Sequence, residues 1–173
     1  MVLKHIGFHD CIIKQLEWHN KNLFLYFDWL DILETHPDNG TGKIKQTGKA
    51  LVRFENVKIL TSQWHDDSKA LANAFEKIKK SEDTVVDVSP YMNFAEIEIK
   101  DIDFFGALRG LEIVSLDIGR IDEKYICKID GYGLYENFQD LRDFCKNIRK
   151  RIEFEYSDAY IFFNNTLIGV RCL

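Results

Sequence analysis

The chain has 173 residues, 46% of them hydrophobic and 29% charged, with a net charge of −5. That length suits one domain, 1–173, able to bury roughly 70% of its unfolded surface without help from disulfides or a metal. The composition excludes a disordered chain, and the acidic balance argues against a general phosphate-backbone binder, whose affinity comes from clustered Lys and Arg.

Met1-Val2-Leu3-Lys4-His5 lacks the apolar core of a signal peptide, and no run is long enough to cross a bilayer. The expectation is a cytoplasmic protein that engages neither membrane nor nucleic acid. Cys11, Cys127, Cys145 and Cys172 form no C-x-x-C pair and stand beside apolar neighbours. They read as buried free thiols in a reducing compartment.

Thirteen Phe, seven Tyr and three Trp favour strands. Phe8-His9-Asp10 opens the first, Cys11 to Trp18. The polar turn His19-Asn20-Lys21-Asn22 joins it to a second, Leu23 to Leu30, as an antiparallel hairpin. Glu34 to Lys49, with Pro37-Asp38-Asn39-Gly40-Thr41-Gly42, reads as a mobile, exposed loop. Ala50 to Leu60 returns to strand, with Val52 and Phe54 on one face and Arg53 and Glu55 on the other.

Asp66 or Asp67 then caps a helix reaching about Lys80, with Leu71, Ala74, Phe75 and Ile78 as its buried stripe. Ala95 to Ile102 alternates, placing Ala95, Ile97 and Ile99 inward against Glu96, Glu98 and Lys100. Glu112 to Ile118 and Lys124 to Tyr132 are the next two strands. Asn137 opens a second helix to about Arg151, carried by Phe138, Leu141, Cys145 and Ile148. After it, Ile152, Phe154 and Tyr156 alternate with Glu153 and Glu155, and Asn164-Asn165 turns a last hairpin. The fold class is α+β: an antiparallel β-sheet or sandwich of about eight to nine strands with two packed helices.

Two His-Asp dipeptides carry the sharpest chemistry. Imidazole and carboxylate supply the nitrogen and oxygen ligands of a hydrolytic metal site, so His9, Asp10, His65 and Asp66 define one reading, a metal-assisted hydrolase. The plainer reading has Asp10 accepting backbone N–H bonds where the strand begins, and Asp66 or Asp67 capping the helix. The pairs are similar to the signature of metal-dependent phosphohydrolases named for that dipeptide. In those proteins, however, the ligands sit on a bundle of helices, whereas His9-Asp10 opens a strand. Cys11 near His9 is inert if its setting is apolar. No serine lies in a Gly-x-Ser-x-Gly elbow, and no phosphate loop is present. Lys146, Arg149, Lys150 and Arg151 suit a helix C-terminus.

Phe8-His9-Asp10-Cys11-x-Ile13, followed by Leu51-Val52-Arg53-Phe54-Glu55-Asn56-Val57, resembles a group of small bacterial β-rich domains. Some of these are similar to immunity proteins, which bind and block a cognate toxin. The resemblance covers Phe8 to Val57 and implies a cytoplasmic, non-catalytic binding protein; it transfers no catalytic residue. The leading expectation is thus a protein-binding module without cofactor, an immunity-type inhibitor whose partner is another protein, a toxin. Trp64 is its candidate aromatic anchor and Glu96, Glu98 and Glu112 its acidic docking residues, with Glu153 and Glu155 available on another strand. Trp18 and Trp29 are assigned to the core.

Overall fold

The predicted hairpin forms, with its first strand starting at Ile13 rather than Cys11, its second ending at Phe27 rather than Leu30, and a turn of two residues rather than four. Strand β1 (Ile6–Gly7) precedes β2 (Ile13–His19) and β3 (Asn22–Phe27), which pair antiparallel with His19 opposite Asn22. Asn20 and Lys21 form the turn, both at positive φ (48° and 64°), as the right-handed twist of a two-residue hairpin requires. Lysine is strained there. Lys21→Gly is expected to raise the unfolding free energy by about 0.5–1 kcal/mol, read as a higher urea midpoint at unchanged slope.

The chain continues through β4 (Asp31–Ile32), β5 (Lys45–Gln46), β6 (Ala50–Glu55), β7 (Lys58–Asp66), α1 (Ser68–Ser81), β8 (Glu98–Asp101) and α2 (Phe104–Leu108). Then come β9 (Leu111–Ile121), β10 (Lys124–Gly133), β11 (Arg149–Tyr156), β12 (Asp158–Phe163) and β13 (Thr166–Ile168). This computed structural model describes residues 3–37, 39–81, 87–133, 149–163 and 166–168. The strands form three antiparallel sheets: β1-β4-β5, β8-β7-β11-β10-β9 and β13-β12-β6-β3-β2.

The strands outnumber the eight to nine expected, for two physical reasons. Ala50 to Leu60 is not one strand: Asn56 adopts φ 52° and turns the chain from the sheet of β6 into that of β7. The segment from Glu34 to Lys49 is not simply an exposed loop either. Asn39 is only 6% exposed, and its side-chain amide donates to the carbonyls of Ile32, Leu33 and Lys43 at 3.3, 3.0 and 2.8 Å. One side chain thereby supplies bonds that regular strands take from main chain, holding the crossing between β4 and β5.

Helix α1 lies where expected, but Asp66 ends β7 instead of capping it, while the Asp67 carbonyl accepts the Leu71 N–H at 2.9 Å. Ala70 and Ala74 form its fully buried line. Phe75 is exposed, and Leu71 and Ile78 sit half-buried at the margins. The second expected helix falls outside the described residues from Asn137 to Ile148, and its last part, Arg149 to Arg151, is strand. Helix α2 is too short to leave a periodic trace. Asp103 caps it, its carboxylate accepting the Gly106 N–H at 2.6 Å.

The core lies between the two five-stranded sheets. Phe54 on β6 meets Phe154 and Tyr156 on β11 edge-on, at 5.0 and 5.1 Å between ring centres, and Phe104 of α2 closes on Phe154 at 6.0 Å. Alternation on β11 is as expected: Ile152, Phe154 and Tyr156 are buried. At one corner β6–β7 and β11–β12 pass between sheets side by side, joined by Asn56 Nδ2 to Ser157 Oγ at 2.9 Å and Ser157 N–H to Glu55 O at 3.0 Å. Trp18 is not core. It rests on Phe104 and Phe105, at 6.5 and 5.6 Å, and stays 36% exposed.

Candidate functional site

Three of the four predicted docking residues lie at one end of a single sheet. Strand β8 forms that sheet's edge, and each of its residues, Glu98-Ile99-Lys100-Asp101, is exposed. Ile99 was expected inward. Alternation distinguishes two faces of a strand but not whether either lies over a core, and β8 extends beyond it. Ala95 is exposed as well, on a 3-10 turn (Phe94–Glu96), and Phe94 is exposed beside it.

Trp64, opposite Lys100 across the β7–β8 ladder, is half-buried, with Lys100 Nζ 5.3 Å above its ring. Lys100 Nζ also meets Glu98 at 3.1 Å and Asp66 at 3.3 Å, and these carboxylates raise its pKa. Trp64 is therefore roofed by a cation rather than free-standing. Glu96 accepts a hydrogen bond from Asn73 Nδ2 at 2.9 Å, fastening the turn to α1. Glu112 stands apart on β9, the opposite edge of the sheet, opposite Tyr132 and bridged to Ile12. Glu153 and Glu155 pair with Lys128 and Lys124, each at 3.3 Å. Ile99 was missed as a surface group because an apolar residue in an alternating run reads as core, and Phe94, outside every predicted element, carries no such signal.

The His-Asp pairs resolve differently. His9 Nδ1 and Asp10 Oδ1 are 2.9 Å apart on a largely exposed turn. Asp10 takes φ 62°, and the turn closes with Cys11 N–H to Phe8 O at 3.1 Å. The fastening expected of the Asp10 carboxylate is done by main chain: Asp10 N–H to Ile113 O at 2.8 Å and Ile113 N–H to Cys11 O at 2.9 Å. These bonds tie the start of β2 to β9, joining the edges of the two large sheets.

His65 lies on β7 opposite Arg149 and Ile99, and its buried Nε2 has no hydrogen-bond partner among the described residues. Among the described residues no three His, Cys, Asp or Glu side chains gather into a group able to hold a metal ion. His9, Asp10, His65 and Asp66 are thus not a shared centre. Burial lowers the His65 pKa, Arg151 and Arg149 add to this, and Asp130 opposes it. The native state then binds fewer protons than the unfolded chain, so stability is full above the ordinary value of 6.5 and falls as pH drops below it. His65→Gln is expected to flatten the dependence of the urea midpoint between about pH 7 and about pH 5.

Beside His65, Asp130 is 7% exposed and takes Arg151 Nε at 2.9 Å and Nη2 at 3.2 Å, with Arg149 Nη2 at 3.8 Å. Lys150 points to the other face and donates to the Ala107 carbonyl at 3.3 Å, its pKa lowered by burial. The basic run is therefore divided between two sheet faces; its first member, Lys146, lies outside the described residues. Cys11 and Cys127 are buried free thiols, and burial pushes Cys11 up to about 12, so that Cys11 stays a protonated thiol at neutral pH. Cys145 and Cys172 lie outside the described residues. No helix among the described residues is long and apolar enough to cross a membrane.

Comparison of the chain with protein families, curated proteins and solved structures finds no match.

Proposed function

We propose that this chain is a non-catalytic protein-binding module, acting in the cytosol as an immunity-type inhibitor of a partner protein. The observation that carries the reading is apolar exposure in an acidic setting. Phe94 is 66% and Ile99 60% exposed at the β8 end, alongside Glu96, Glu98 and Asp101. Interfaces concentrate their energy in a few apolar anchors ringed by polar groups, and complementary charge speeds the encounter. A partner with a basic surface suits this patch. The resemblance of the first hairpin to immunity-type domains supports the same class, and the buried thiols Cys11 and Cys127 suit a reducing compartment.

The test is genetic and then biochemical. The product of the neighbouring reading frame, expressed alone, is expected to arrest growth, and co-expression of this chain to restore it. Phe94→Ala and Glu96→Lys, made together, are expected to weaken complex formation at least tenfold, the loss of an anchor and reversal of a steering charge. No arrest, or rescue and binding indifferent to both substitutions, would remove the reading's support.

A further inference from the structure

Strand β8 ends its sheet with one edge unpaired among the described residues, and its bonding phase shows what that edge presents. The β7–β8 register places Asp66 opposite Glu98, His65 opposite Ile99, Trp64 opposite Lys100 and Gln63 opposite Asp101. One step further, Ile102 N–H donates to Ser62 O at 3.0 Å. In an antiparallel ladder, hydrogen-bonded and non-bonded pairs alternate. Glu98 and Lys100 therefore turn their main-chain groups toward β7, while Ile99 and Asp101 turn theirs toward the open edge. Ile97 has the same outward phase, with its N–H already given to Phe94 O at 3.3 Å and its carbonyl directed outward.

We propose that two copies of the chain pair β8 edge to edge about a two-fold axis at Ile99, continuing one sheet into the other. Main-chain bonds then run in both directions between the two Ile99 residues, and from each Asp101 N–H to the Ile97 carbonyl of the other copy. This register places Glu98 opposite Lys100 of the second copy, and Lys100 opposite its Glu98. Both pairs fall at non-hydrogen-bonded positions, where Cα atoms lie about 4.5 Å apart and side chains approach most closely. On the other face, the exposed Ile99 meets its own counterpart.

Charge selects this register among its neighbours. Moving the axis to Glu98, Lys100 or Asp101 opposes each of those residues with itself, and moving it to Ile97 opposes Glu98 with Glu96. Each alternative sets like charges against each other, which is destabilising in a sheet. A strand that faces itself with opposite charges in one register only is suited to a second copy of itself.

Sedimentation equilibrium of the full chain, from about 1 µM to about 1 mM, is expected to show a reversible monomer–dimer equilibrium. Amide exchange at Ile99 and Asp101 should slow as concentration rises, while Glu98 and Lys100, already bonded to β7, do not change. Lys100→Glu and Glu98→Lys, each alone, are expected to weaken association at least ~tenfold by opposing like charges, and an equimolar mixture of the two variants to associate again through opposite ones. A chain monomeric at every concentration, exchange at Ile99 independent of concentration, or a mixture no more associated than its components would overturn the proposal. None of these measurements uses the partner protein or Phe94, so failure of the dimer and failure of the inhibitor reading are told apart, although the second copy and the partner compete for Ile99, Glu98 and Asp101.

Discussion

Phe54→Ala is expected to lower the free energy of unfolding by about 3–5 kcal/mol, a large part of the roughly 5–15 kcal/mol that holds such a domain together. The side chain is fully buried and belongs to β6 of one sheet, yet its ring touches Phe154 and Tyr156 of the other. Truncation removes the ring's transfer energy, leaves a cavity that two sheets pinned at the Asn56–Ser157 corner cannot close, and abolishes two edge-on aromatic contacts. Urea denaturation followed by fluorescence and by circular dichroism measures the loss. Phe54→Leu, which keeps most of the volume, is expected to cost less than half as much. A loss below about 1 kcal/mol for alanine would mean that the sheets do not meet at this residue.

The second large effect is expected where a single methyl group has no room. Gly131 lies on β10 where its register against β9 shifts, and a Cβ there would run into the Glu112 carbonyl oxygen and lie 2.9 Å from Leu111 Cγ. The obstacle is main chain on one side and a fully buried side chain on the other, so neither yields cheaply. Gly131→Ala is expected to cost about 2–4 kcal/mol through forced backbone movement. Gly119, on the partner strand, has nothing within 4 Å of its Cβ position. Gly119→Ala is expected to fall within about 0.5 kcal/mol of the parent. Thermal unfolding of the two variants side by side separates local crowding from a general intolerance of alanine in this hairpin.

Features that depend on near neighbours were legible from the residues. The turn at Asn20-Lys21 and the alternation of Ile152, Phe154 and Tyr156 follow from turn chemistry and a period of two. Features that depend on distant partners were not. Nothing local to Ile99 tells that, among the described residues, its strand is paired on one side only, nor that Asn56 sends the two halves of one apolar run into different sheets. The docking residues divide along the same line. Trp64, Glu96 and Glu98 converge at β8, whereas Glu112 was grouped with them by charge alone and lies at the far edge. At His9-Asp10 the side chains drew attention, but the structural work falls to backbone whose positive φ no motif announces.

The order of strands within the sheets bears on how the chain is made. Strand β11 lies between β7 and β10, so that sheet stays in two pieces until residues 149–156 emerge. In the other sheet β6-β3-β2 can already pair, and β12 adds to the open edge of β6. A nascent chain that has left the ribosome only as far as Gly133 can form the β2–β3 and β9–β10 hairpins, but nothing yet joins β10 to β7. Phe54 meanwhile faces no Phe154. At about 5–20 residues per second, this half-built stage, with open strand edges and uncovered aromatic rings, lasts for seconds. Non-local pairing of this kind closes loops late and slowly. The interval of greatest exposure to aggregation and chaperone capture therefore lies between synthesis of β10 and emergence of β12, not in the finished protein.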